Sequence, residues 1–291
     1  QMCIRDSLVS FGESQVFEGV SSSIIIFRFV KTKHSVETIQ HFQYSGPRRV
    51  GEAVDLQDET LFRKTSIPQF KQGQHWTIAT SQDQRELGRF QAWCTSNSLA
   101  LPGFDSDQFE TIGDYCTIAN GMVSGLDKAF RVDEALFARL TDVEKSVIIP
   151  VVKGADLSSL FTFKSSRYID LPAGLTEDEV RSTYPNLIAH LDTFRDQLLK
   201  RYSYGRDLPF WEWAFRRSES FLCSDSLKIF VPCKERITNK DVVRFSLVPR
   251  GSIATQDVTA LAPKPAIDLD IEYICAFLSL PEVTRWIRMR G

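Results

Sequence analysis

FGESQVFEGVSSSIIIFRFVK, residues 11–31, is the most sharply patterned stretch of the chain. A short apolar segment, Leu8–Phe11, leads into it and is followed by a turn. Then come an aromatic at Phe17, a small polar corner at Ser21-Ser22-Ser23, and the dense run Ile24-Ile25-Ile26-Phe27. The run is short, β-branched and bounded by turn-forming residues, which marks a strand rather than a helix. Its lack of polar alternation predicts a buried strand, one that closes a sheet.

Outward from this stretch, the first unit continues with a further strand at Glu37–Phe42 and is punctuated by Gly46-Pro47. Residues 48–65 are polar and acidic with widely spaced apolar positions, and read as connecting structure. Trp76–Ala79 is a short strand candidate, and Leu87, Phe90 and Trp93 fall at helical spacing within Gln82–Ser96. Leu101-Pro102-Gly103 marks a domain hinge. Beyond it, strands are expected at Ile112–Ile118, Ala129–Val132, Val147–Val152, Tyr168–Leu171, Leu227–Val231 and Phe245–Val248. A Gly-rich turn lies at Asn120–Gly125 and a tight polar turn at Lys153–Asp156. The best helical pattern is Pro185–Tyr202, with Leu187, Ile188, Leu191, Phe194 and Leu198 on one stripe and Pro185 at the first position. A shorter helix, Glu177–Arg181, precedes it, and Ile271–Leu280 and Pro281–Met289 read as two helices or as one helix broken at Pro281.

Composition narrows the class. With 291 residues, 43% hydrophobic and 25% charged, the chain reads as a soluble, cytoplasmic, globular protein of one or two domains. No apolar run approaches the length that spans a membrane. A net charge of −2 neither requires nor excludes a nucleic-acid partner, because DNA binding needs a local basic face rather than a basic total. The six cysteines form no CxxC pair and the four histidines supply no ligand spacing, so neither a zinc site nor any other metal is expected. Gln1–Ser7 lacks periodicity and reads as a scar, and Arg288–Gly291 stops directly after a helical pattern, so the chain reads as an internal fragment.

Several motifs, taken in order, resemble the adenine-specific DNA methyltransferases of the TaqI-like type. Phe11-Gly12, Val16-Phe17 and Ile24–Phe27 resemble that family's eighth conserved motif, a strand–turn–aromatic–strand unit. IANGMVSGLDKAFRVD, residues 118–133, resembles the glycine-containing signature that opens its target-recognition domain. IIPVVKGADL, residues 148–157, resembles the strand-to-turn element that follows. Tyr184–Arg201, Trp211-Glu212-Trp213 and Lys228-Ile229 match the later order of that domain. The resemblance implies an α/β chain: the C-terminal end of a Rossmann-like methyltransferase sheet in residues 8–65, a connecting region in 66–105, and a mixed α/β target-recognition domain in 106–291. It implies sequence-specific binding of double-stranded DNA within a restriction–modification system that can include a cognate restriction endonuclease. It also implies methyl transfer from S-adenosylmethionine to an adenine amine. The family's Asn/Asp-Pro-Pro-Tyr/Phe tetrapeptide and its glycine-rich cofactor loop are not found in these residues. The fragment alone is therefore expected to be inactive, with the cofactor bound by a preceding part. Two other readings stay open: a non-catalytic specificity subunit, or part of a fused endonuclease–methyltransferase.

The residues that would carry this chemistry each have a plainer alternative. Phe17, on a turn beside a strand, is either a core aromatic or a face on which a base extruded from the duplex can stack, and the resemblance implies the second. Ser124, Lys128 and Arg131 surround the Gly-rich turn, whose glycines permit positive φ or close approach to a DNA phosphate; a plain tight turn needs no ligand. Lys153 is expected on a loop. Between 195 and 217 cations are interleaved with Tyr202, Tyr204, Trp211 and Trp213. The tryptophans read as core, whereas Arg206, Arg216 and Arg217 are expected to face DNA.

Overall fold

The computed structural model describes residues 7–12, 14–17, 24–28, 37–47, 50, 58–70, 78–96, 111–235 and 242–290. It is a mixed α/β structure in two compact units, residues 1–102 with 285–291, and residues 103–284.

In the first unit, β1 (Ser7–Ser10), β2 (Ile25–Arg28), β3 (Thr38–Tyr44) and β4 (Phe62–Pro68) form a sheet in the order β2-β1-β3-β4. The β1–β3 pair is parallel, with Leu8 opposite His41, and the other pairs are antiparallel. Ile39 and Ile67, which are register partners, are buried on one face of the sheet, and Tyr44 and Phe62, partners at odd spacing from them, are buried on the other, so both faces are packed. Leu8, Ile39 and Ile67 make one core cluster. Phe11, Tyr44 and Phe62 make another, their rings 5.4, 5.6 and 6.2 Å apart. A polar line crosses the same sheet: His41 Nε2 lies 2.7 Å from Ser10 Oγ, and its Nδ1 3.2 Å from Thr65 Oγ1. Burial pushes the His41 pKa down, so the ring is neutral at pH 7. Helix α1 (Ser81–Ser96) follows.

Two expectations for this unit are corrected. The isoleucine run is strand, but not a buried one: among the described residues β2 is an edge strand, and Ile25 and Ile26 are 40% and 43% exposed. Residues 58–68 are not merely connecting, since a 3-10 turn at Glu59–Leu61 leads into β4, which pairs along all of β3. Between the buried Phe62 and Ile67, β4 carries the exposed Arg63, Lys64 and Ser66, and that polarity masked the strand. Of the Trp76–Ala79 candidate, residues 76–77 lie outside the described residues, and residues 78–79 form no strand. The 101–103 hinge also lies outside the described residues, as do Cys3 and the 21–23 corner.

The second unit holds two sheets. One has the order β5-β13-β10-β11-β8, from Cys116–Asn120, Val258–Pro263, Lys228–Pro232, Ser246–Val248 and Leu160–Phe161. The other has the order β12-β7-β9-β6, from Ile253–Ala254, Ile148–Val152, Ser166–Ile169 and Arg131–Val132. Phe130, Tyr168, Phe210, Trp213 and Phe230 fill the core, and Trp213 Nε1 donates to the Ile169 carbonyl at 2.8 Å. Short helices connect the strands: α2 (Ile112–Tyr115), α3 (Asp127–Phe130), α4 (Glu134–Arg139), α5 (Asp142–Lys145), α6 (Glu177–Thr183), α7 (Pro185–Asp192), α8 (Arg195–Leu199) and α9 (Glu219–Leu222). Near the end, α10 (Ile271–Leu278) and α11 (Pro281–Arg290) are separate helices.

Residues 112–115 and 129–130 are helical turns rather than strand, so β5 begins at Cys116 and β6 only at Arg131. The expected long helix over Pro185–Tyr202 is two helices. Thr193 Oγ1 donates back to the His190 carbonyl at 2.7 Å, satisfying that acceptor locally and interrupting the ladder. The apolar stripe survives the break, with Leu187, Ile188, Leu191 and Leu198 all buried.

Glu144 ties α5 to α7. Its carboxylate is fully buried and closes a capping box with Thr141 at the start of α5. It also accepts from the backbone N–H of Asn186 (2.6 Å) and of Leu187 (3.1 Å), and from the Asn186 side chain (2.8 Å), at the start of α7. Burial works against the charge, but these donors offset it, and the pKa is held below the ordinary carboxylate range. Glu144→Ala orphans several buried N–H groups and should cost roughly 2–4 kcal/mol, read as a lower urea midpoint at unchanged slope. A group with a depressed folded pKa stabilises above its unfolded pKa of about 4.3. The deficit of Glu144→Gln should therefore be full at neutral pH and shrink as pH falls below about 4.

Candidate nucleic-acid interface

The Gly-rich segment after β5 is not a plain turn. Gly121 N–H donates to the Val258 carbonyl and Met122 N–H to that of Ala254, while Val123 and Phe215 exchange both backbone hydrogen bonds at 2.9 Å. A Cβ on Gly121 would collide with the carbonyls of Thr255 and Ala254. The close approach this glycine permits is therefore to the chain's own backbone, not to a phosphate. Gly125 has φ +84°, the left-handed region that favours glycine, and a Cβ there would meet Arg201 Cδ at 2.7 Å.

This path sets a polar centre. Asp127 accepts from Ser124 Oγ (2.5 Å) and from Lys153 Nζ. Asp156 accepts from Lys153 N–H at 3.1 Å, and Asp257 from Gly154 N–H at 3.0 Å and from the Thr255 hydroxyl. The expected 153–156 turn is thus fixed from three sides. Burial opposes the Lys153 charge, but the Asp127 carboxylate outweighs it and holds the ammonium above its ordinary range. Tyr168, buried beneath, is pushed up by burial and by Asp127, with Lys153 and Arg131 opposing. Ser124 is only 2% exposed, so its hydroxyl serves Asp127 and is not presented outward as expected.

The basic segment 195–217 is spent largely inside the protein. Arg195 pairs with Glu177 and Asp192. Arg201 donates to the carbonyls of Ser124 (2.9 Å), Pro209 (3.0 Å) and Glu212, and burial pulls its pKa down to about 10. Arg216 forms ion pairs with Asp170 and Glu219 and donates to the Leu171 carbonyl at 3.0 Å. Its fork is occupied by these partners within the chain. Arg217 is half-buried with its Nε enclosed. Of the cations Lys234, Arg236, Lys240 and Arg244, residues 236 and 240 lie outside the described residues, and Arg244 pairs with Glu235 at 2.8 Å.

Three of the expected cations remain on the surface. Lys128 is exposed with its ammonium 5.6 Å from the Phe194 ring, and Arg131 is exposed at the start of β6. Arg206 lies over the Phe215 ring at 5.6 Å and donates to the Ala214 carbonyl. Beside it Tyr202, Tyr204 and Phe215 are 73%, 40% and 38% exposed. Both tyrosines are singled out in the sequence as aromatics among cations; Phe215, directly before Arg216-Arg217, shows the same signal but is passed over there. In the first unit, Phe17 is 57% exposed after a turn closed by Ser14 N–H to the Phe11 carbonyl. Among the described residues no group of three or more His, Cys, Asp or Glu could hold a metal, and no helix is long and apolar enough to cross a membrane. Cys116, Cys223, Cys233 and Cys275 are free thiols.

No family model matches the chain. It is 36% identical over 289 residues to the type II methyltransferase M.HindII of Haemophilus influenzae, covering 98% of this chain and 54% of that protein. It is 33% identical over 288 residues to the type II methyltransferase M.HincII of H. influenzae, covering 98% and 53%. Among solved structures, the Type IIL restriction-modification enzyme MmeI, determined in complex with DNA, superposes with a TM-score of 0.58 at 12% identity, covering 100% of this chain and 33% of that one. That likeness concerns the fold. The chain spans about half the length of the relatives it matches, and over nearly its whole length it is a homologue of type II methyltransferases.

Proposed function

We propose that residues 103–284 form a duplex-DNA-binding target-recognition domain. In this reading residues 7–68 form the end of a Rossmann-like catalytic sheet, in a cytoplasmic, adenine-specific DNA methyltransferase of a restriction–modification system. The observation that carries the reading is the 36% identity to a type II methyltransferase across 289 residues. The surface supports it: Lys128, Arg131 and Arg206 are exposed on segments held by one backbone framework. Cations on rigid elements suit phosphate contacts that set register. A partner endonuclease is compatible with this reading.

The implied methyl donor is S-adenosylmethionine. The glycines at 121 and 125 do not build a cradle for it, because the space a side chain would fill at each is occupied by the chain's own atoms. The cofactor and the tetrapeptide that would hold the adenine amine therefore belong, in this reading, to sequence outside residues 1–291. Phe17 is the residue of this chain assigned to the reacting base, as an exposed aromatic face on which the extruded adenine stacks.

Duplex binding should weaken steeply with salt, since each neutralised phosphate releases counterions. Lys128→Ala and Arg131→Ala should each reduce the slope of log K against log salt by about 1. Ser124→Ala, at a hydroxyl buried against Asp127, should leave the slope unchanged. Undetectable or salt-independent binding, measured by fluorescence anisotropy, would overturn the DNA reading. In a complete enzyme containing this chain, Phe17→Ala should lower methylation about tenfold to a hundredfold, the worth of one stacked base. Its unfolding midpoint should not move, because the ring is largely in solvent.

A further inference from the structure

Residues 200–206, KRYSYGR, hold three cations and two tyrosines with no acidic residue; Asp207 follows. The structure turns this segment into a ladder. The Tyr202 and Tyr204 rings lie 4.6 Å apart and tilted at 59°, and Tyr204 stacks on Phe215 at 5.0 Å with an interplanar angle of 28°. The Arg206 guanidinium lies over Phe215 at 5.6 Å. The foot of the ladder is fixed. Phe215 is bonded to Val123 through both backbone groups, and Arg206 donates to the Ala214 carbonyl. Tyr204 and Gly205 take φ of +57° and +73°, consecutive left-handed residues that fold the segment back on itself. A tyrosine in that conformation is uncommon and is kept only where its surroundings hold it. At the far end Tyr202 is 73% exposed.

An exposed, preorganised aromatic stack gains nothing for folding from its outermost ring, whereas its rigidity lowers the entropy cost of receiving another planar group. Resting on the DNA reading above, we propose that the Tyr202 face receives a nucleobase at an opened step of the bound duplex, making Tyr202 a specificity-determining stacking residue. The surrounding charge selects this occupant. Lys200 is exposed two residues before Tyr202, and Arg206 closes the stack, so the phosphates flanking an opened step meet cations. Base–aromatic stacking supplies the contact, and steps that unstack easily are favoured. This contact is distinct from that of Phe17, which is assigned to the base that reacts.

The test uses the whole chain and a duplex that it selects from a randomised pool, with affinity measured at several salt concentrations. Tyr202→Ala should bind at least about tenfold more weakly with an unchanged salt slope, because the lost contact is not ionic. Tyr202→Phe should restore affinity, and Tyr202→Leu, apolar but without a π-face, should not. Heparin, a polyanion without bases, should bind all four proteins alike. Full affinity in Tyr202→Ala or Tyr202→Leu would overturn the stacking assignment while leaving the DNA reading intact. A change of slope, or a change of oligomeric state on sedimentation, would overturn it as well, assigning the ladder to phosphates or to a second copy. If the unaltered chain selects no duplex, the DNA reading itself fails.

Discussion

Residues 121–124 run between two other backbones and bond to both. On one side Met122 meets Ala254, and on the other Val123 meets Phe215. Only a residue without a side chain can enter this slot, and Gly121 occupies it against the Thr255 carbonyl. The consequences spread from there. The segment delivers Ser124 and Asp127 to Lys153, offers the Ser124 carbonyl to Arg201, and sets the strand-like foot on which the Tyr204–Phe215 stack stands. One backbone constraint thus fixes both the polar centre and the aromatic ladder.

Charge in the second unit follows a division of labour. A buried cation without acceptors is costly, and several arginines of this unit are matched with carbonyls or carboxylates of the chain. Arg201 takes three carbonyls, Arg216 takes Asp170 with Glu219, and Arg195 takes Glu177 with Asp192. Glu177, gripped by Arg195 and Arg181, is held at a pKa of about 2. Cations committed in this way position the frame. Lys128, Arg131, Lys200 and Arg206 are among those left exposed, where a polyanion can reach them.

Local order was legible wherever a single segment contained its own reasons. The helix starts at Pro185 and Pro281, the Lys153–Asp156 turn and the tryptophan-anchored core follow from residue type and spacing, and each stands in the structure. Strand β4 was hidden because its exposed residues are polar, and that polarity outweighed its buried Phe62 and Ile67. The burial of β2 was overstated because a run of isoleucines shows strand propensity but not whether a neighbour covers both faces. The break at Thr193 turns on a side-chain hydroxyl choosing a backbone carbonyl, a competition that a hydrophobic stripe does not register.

The candidate interface divides along the same line. Sequence alone determined that cations and aromatics concentrate between 195 and 217, that a glycine-bearing loop precedes Asp127, and that Phe17 follows a turn. Tertiary structure decided which of those side chains are free. Arg206 and Arg216 are equivalent in sequence, yet one lies on an exposed ring and the other is bound to Asp170, a carboxylate 46 residues away in the chain. The partners that claim an arginine come from distant segments, and their approach is set by the folding of both sheets rather than by anything adjacent in the sequence.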